Sequence, residues 1–149
     1  MTYIAVAIDT DHKAGSGNRD IGHNARYRLP ADRAYERIVY IGGGVRIEDR
    51  GSVLAEYLPV LGDEHRPLGT ASTGTISFSL PTQYFGGRPD TWRFTVLVGA
   101  QDDHGGAGIG DFRSVEAQAG EWNGGGRRSP EDSNVYDVLV TQAEHAHKK

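Results

Sequence analysis

An all-β, antiparallel β-sandwich of the immunoglobulin or jelly-roll kind is the fold class this sequence predicts, and three observations predict it. Short runs of alternating apolar residues are separated by turn signals roughly every 8 to 12 residues. No apolar run keeps a helical period for longer than about one turn. Glycine is the outlier of the composition, 21 of 149 residues, about twice the ordinary ~7% and without the G-X-Y period of collagen. A chain of 149 residues has room for one domain around one core, expected over residues 1–143, with a polar tail at 144–149. Val, Ile, Leu and Phe make up about 21% of the chain, just above the ~20% below which disorder is the better expectation.

The elements follow in order. Thr2 to Ile8 alternates and is rich in β-branched residues, then stops at the polar loop Asp9 to Asn18, which reads as strand and loop. Ala25 to Leu29 reads as a short strand ended by Pro30. Arg37 to Ile41 and Gly43 to Glu48 read as a hairpin, because glycines between them can take positive φ. Leu54 to Leu61 contains Pro59, which cannot donate to a ladder, so it is expected at an edge. Thr75 to Leu80 places Ile76, Phe78 and Leu80 on one face and is the clearest amphipathic strand, followed by one helical turn over Pro81 to Phe85. Trp92 to Val98 is apolar on nearly both faces, the mark of a central strand. Phe112 to Ala117 and Val135 to Val140 complete the set.

Composition excludes several function classes. A net charge of −4 creates no field that would attract a phosphate backbone, so no nucleic-acid partner is expected. No run reaches the ~18 apolar residues of a membrane span, and Met1 to Val6 has no basic leader pattern. With no cysteine, disulfides, zinc–thiolate sites and thiol catalysis drop out. No G-x-S-x-G elbow, Walker loop or H-E-x-x-H occurs.

Three constellations carry candidate chemistry. Asp9 and Asp11, followed by Asn18 and Asp20, offer hard oxygen ligands from a glycine-bearing loop and suit Ca²⁺; Lys13 and Ala14 break any EF-hand register. The competing reading is an Asx-type turn in which Asp9 and Asp11 accept backbone N–H bonds. Gln101, Asp102 and Asp103 open a glycine-rich loop directly after the central strand, read either as a polar turn or as a ligand loop. Trp122, beside Asn123 in the irregular Gly120 to Gly126 segment, is the aromatic placed to stack on a pyranose ring, or else to plug one end of the core.

Tyr3 to Asp11, Gly15 to Asn18 and Gly22 to Ala25, then Phe78 to Pro81, Trp92 to Asp102, Arg113 to Val115, Glu121 to Gly126 and Asn134 to Leu139, taken in that order, resemble the C-terminal domain of glucodextranase and the related modules of amylopullulanase-type glycosidases. The resemblance implies a β-sandwich similar to sugar- and haem-binding DOMON-like modules, and a non-catalytic role on a polysaccharide or cell-envelope glycan, outside the cell or at its surface. Together with the loop residues read above, it gives a candidate ligand set of Trp122, Gln101, Asp102, Asp103, Asn123 and Arg113. No haem is expected, since the only methionine is Met1 and no histidine is placed as an axial ligand. Two departures stand out: the family's strands ahead of the Tyr3-like strand are absent, and His104 replaces a glycine after the loop aspartate. A sheet left open in this way supports an alternative function, a structural subunit that pairs its sheet edge with a partner chain.

Overall fold

Alternation along β1 (Thr2–Asp9) puts Tyr3, Ala5 and Ala7 on one face and Ile4, Val6 and Ile8 on the other. A strand apolar on both faces belongs in the interior of a sheet covered on both sides. In the computed structural model, which describes residues 2–13, 15–57, 69–70, 74–76, 78–102, 104 and 108–141, β1 lies between β4 (Arg37–Ile41) and β9 (Arg93–Asp102), antiparallel to both. The sheet continues from β4 to β5 (Val45–Asp49) and the edge strand β6 (Ser52–Tyr57). On the far side of β9 its first half pairs with β11 (Asp137–Val140) and its end with β10 (Asp111–Phe112). This seven-stranded antiparallel sheet curls into a half-barrel, giving an all-β, sandwich-like fold. Two small hairpins accompany it, β2 (Asp20–Ile21) with β3 (Tyr27–Arg28), and β7 (Gly69–Thr70) with β8 (Thr75–Ile76).

Each face of the sheet has its own core. Tyr3, Ala5, Ala7, Ile38, Tyr40 and Leu97 are roofed by Ile21, Ala25, Leu29 and Tyr35 from the segment after β1, and by Phe112. On the opposite face Ile8, Val39, Ile41, Val45 and Ile47 are covered by Leu80, Tyr84, Phe85 and Trp92. Trp92 is anchored there by its indole N–H, which donates to the Gly86 carbonyl at 2.7 Å.

The hairpin, the edge strand and the central strand stand where the pattern placed them; Leu58 to Leu61, with Pro59, and the 144–149 tail lie outside the described residues. Two segments differ. Thr75 to Leu80 pairs only at Thr75 and Ile76. Past Ser77, itself outside the described residues, Phe78 and Leu80 leave the ladder and line an apolar groove of about 250 Å³ with Val6, Ile8, Val39 and Ile41. An irregular lid that lays every second side chain on a sheet has the same period as a strand, and Pro81 supplies no N–H to prolong one. Phe112 to Ala117 pairs with β9 at Phe112 and, through one further hydrogen bond, at Arg113, because from Val98 back towards its start the same edge of β9 is taken by β11; beyond Arg113, Val115 makes a single bridge to Gly124.

Candidate functional site

The Trp122 turn is held from three directions. Its foundation is β10: the Arg113 N–H donates to the Ala100 carbonyl at 2.7 Å, which continues the ladder by one residue. The chain then folds back on itself, with the Gly124 N–H on the Ser114 carbonyl and the Glu116 N–H on the Gly124 carbonyl, both at 2.8 Å. Within the turn, Asn123 Nδ2 donates to the carbonyls of Gln118 (2.9 Å) and Gly124 (3.1 Å), and the Arg113 guanidinium donates to the Glu121 carbonyl. Trp122, braced by these bonds, leaves 75% of its surface exposed. Both flanking polar residues are therefore spent partly on shaping the turn, although Arg113 Nε is buried and without a hydrogen-bond partner among the described residues.

Below the turn sits a residue that pattern reading passes over. Asn134 is 1% exposed; its Oδ1 accepts from the Val115 N–H and from Arg127 Nη2, both at 2.9 Å, and its Nδ2 donates to the Asn24 carbonyl at 2.7 Å. A lone asparagine in an irregular stretch carries no periodic signal, so only the fold reveals it as the fastening between three segments.

Gln101 and Asp102 form a second, adjoining group. Gln101 Oε1 accepts from the Gly43 N–H at 3.0 Å and its Nε2 donates to the Gly108 carbonyl at 3.3 Å, so it ties the β4–β5 turn to the glycine-rich loop. Asp102 accepts the His104 N–H at 2.9 Å. Asp103 lies outside the described residues. Since Asp111 and Phe112 pair with Asp102 and Gln101, this end of β9 and the Trp122 turn are joined through β10.

The acidic loop after β1 is arranged differently from the expected ligand set. Asp9 and Asp11 come together with Glu36, their carboxylate oxygens within 4.8 Å of one another, whereas Asn18 accepts the Asp20 N–H at 3.1 Å and donates to the Tyr35 hydroxyl at 3.0 Å. Asp20 reaches out to Arg28 at 3.8 Å. Asp9 Oδ1 accepts the amides of Asp11 and His12 while its Oδ2 is paired with Arg93 at 2.6 Å. Asp11 accepts the Lys13 amide at 2.9 Å and the Ser16 hydroxyl at 2.7 Å. The Lys13 amide is the chief cause of a lowered Asp11 pKa. Glu36 Oε1 takes the Thr10 amide at 2.7 Å, but Oε2 is buried with no hydrogen-bond partner among the described residues, and burial is the main cause of the raised Glu36 pKa. A cation here would share Asp9 with the Arg93 guanidinium.

A polar network runs through the first core where the residue pattern showed only isolated histidines. His23 Nε2 lies 2.7 Å from Glu48 Oε2, and its Nδ1 lies 3.2 Å from the Tyr3 hydroxyl, 3.3 Å from the Gly110 carbonyl and 3.4 Å from Asp111 Oδ1. Asp111 Oδ2 in turn meets His104 Nε2 at 2.9 Å. Burial pulls the His23 pKa down, but the hydrogen bond and charge of Glu48, the Gly110 carbonyl and Asp111 outweigh it, so the net shift is upward.

A family model for the C-terminal binding module, SLH-like, of glucodextranase matches residues 1–148. The chain belongs to that family. No curated protein and no solved structure matches it. As a glucodextranase C-terminal module it is a non-catalytic binding domain. Asp9, Asp11, Asp102 and Asp132 accept backbone amides, and Glu48 and Asp111 hold histidines. No helix among the described residues is long and apolar enough to cross a membrane.

Proposed function

We propose that this module binds a glycan, either the polysaccharide on which an associated glycosidase acts or a polymer of the cell envelope, and that Trp122 is the stacking platform. The observation that carries the reading is the 75% exposure of Trp122 on a turn whose backbone is closed by bonds from Arg113 and Asn123. A large apolar ring normally gains about 1.5–3 kcal/mol by burial, so an indole left in solvent on a pinned turn is suited to receive an apolar face. Pyranose rings present such a C–H face, and a preorganised turn keeps the ordering cost of binding low. Membership in a binding-module family supports the same role.

Titration calorimetry with maltotetraose, together with co-sedimentation with purified cell-wall polymer, tests the reading. Binding to at least one of them is expected, weakened about tenfold or more by Trp122→Ala, as stacking worth about 1–2 kcal/mol requires. Absence of binding to both, or binding indifferent to Trp122→Ala, would overturn it.

A further inference from the structure

We infer that the cleft beside the Trp122 turn takes an oxyanion, so that the module reads acidic glycans, carrying carboxylate or phosphate groups, in preference to neutral ones; the inference rests on the glycan reading above. The cleft measures about 420 Å³ and is lined by Arg26, Glu116, Arg127, Arg128, Ser129 and Pro130, together with Ala117, a volume within the roughly 300–1,000 Å³ of small-ligand sites. Arg26 Nη2 and Arg127 Nη1 donate to the same acceptor, the Pro130 carbonyl, at 2.8 and 3.2 Å. Two like charges are thus gathered on one neutral oxygen. A carbonyl satisfies their hydrogen bonds but not their charge, and no ion pair within 4.0 Å links Arg26, Arg127 or Arg128 to a carboxylate among the described residues.

The convergence is built at a cost. Arg26 holds a left-handed backbone, φ 54°, a conformation uncommon for side chains other than Asn, Asp and Gly. Of the acids nearby, Asp132 accepts the amides of Arg128 and Ser129 at 2.9 and 3.2 Å and Glu131 binds the Ser129 hydroxyl, which leaves Glu116 as the one carboxylate residue in the lining, against three arginines. Arg127 is fixed by bonds to the Val115 carbonyl and Asn134, while the exposed Arg128 guanidinium has no partner among the described residues. A planar guanidinium fork matches carboxylate and phosphate oxygens. Glu116 and Arg127, joined by the Arg127 N–H on the Glu116 carbonyl at 2.9 Å, belong to the same folded-back segment that carries Trp122.

The test compares three tetrasaccharide probes by calorimetry with the full chain at low salt: maltotetraose, tetragalacturonate and phosphorylated maltotetraose. At least one acidic probe is expected to bind tenfold or more tighter than maltotetraose, and which one does so names the anion. That preference should vanish in Arg128→Glu, a side chain that holds nothing in the fold, and in about 1 M salt, where the screening length falls to ~3 Å. Equal affinity for all three probes, or a preference that survives Arg128→Glu, overturns the inference while leaving the glycan reading in place. Absence of binding to all three, and to cell-wall polymer, overturns both.

Discussion

His23 connects parts of the chain that have no sequence proximity, and its chemistry makes that connection pH-dependent. Glu48 Oε2 faces Nε2, and the Gly110 carbonyl and Asp111 face Nδ1, so the imidazolium, with two N–H donors, fits the site best. On deprotonation the Tyr3 hydroxyl, 3.2 Å from Nδ1, can turn from acceptor to donor, which keeps a bond but loses the charge pairing. The pKa of His23 is raised in the folded state. The stabilisation is therefore fully present below the unfolded value of about 6.5 and is lost as pH rises through the folded pKa. The melting temperature is expected to fall from pH 6 towards pH 9, and His23→Gln should flatten that slope. The variant should also cost about 1–3 kcal/mol at pH 6, because the buried Glu48 loses its nearest partner and keeps only Arg46 at 3.9 Å. An unchanged slope in thermal melts of His23→Gln would refute the assignment. No local pattern marks His23, although Gly22 to Ala25 is among the segments that carry the family resemblance, and the partners that give it meaning come from β5 and β10. Asp9 and Asp11 were easier to read, since an Asx turn is made from residues two and three positions apart.

β9 is the element on which the others depend. It pairs from Arg93 to Ala100 with β1 and, on its other edge, with β11 and then β10. Gly99 sits where that edge passes from one partner to the other. A Cβ there would lie 2.6 Å from Phe112 Cδ1 and 3.1 Å from the Asn134 carbonyl, so the ring of Phe112 covers the bare backbone. Gly99→Ala is expected to cost about 1–3 kcal/mol by overpacking. Adding Phe112→Leu should return part of that loss, and denaturant melts of the single and double variants check it; strictly additive losses would mean that the two residues do not share the space. The strand itself is legible, because Trp92 to Val98 is apolar on both faces. The handover between β11 and β10 is not, because Asp111-Phe112 pairs over two residues only and a two-residue ladder leaves no period to detect. For the same reason the β2–β3 hairpin is invisible at Asp20-Ile21, while Thr75 to Leu80 shows a period that its ladder does not use.

At the scale of the whole molecule, two cores lie back to back across one sheet. Leu97 and Ile47 are each 0% exposed, Leu97 in the core that carries the His23 network and Ile47 in the one capped by Trp92. Because β1 and β4 contribute alternate residues to both cores, loosening one core disturbs the strands that support the other. Leu97→Ala and Ile47→Ala should each cost about 3 kcal/mol, and each variant should still unfold in one transition, seen alike by tryptophan fluorescence and far-ultraviolet circular dichroism. Two separated transitions would show that the cores are independent.

The sequence by itself determined the class: all-β and antiparallel, with a strand from Thr2 to Ile8, a central strand from Trp92 to Val98 and a hairpin over Arg37 to Glu48, while the exposure of Trp122 was decided by the fold. The strands and the hairpin are local properties, written in side-chain alternation and turn chemistry within a few residues of one another. Only the tertiary structure decided what meets what. It brought Glu36 to the Asp9 loop in place of Asn18 and Asp20, Asn134 to Asn24 across 110 residues, and Arg26 and Arg127 to a single carbonyl. Such pairings depend on loop closure over long stretches of chain, for which neither partner carries a local signal. They decide where charge is left uncompensated, and hence where a ligand would be felt.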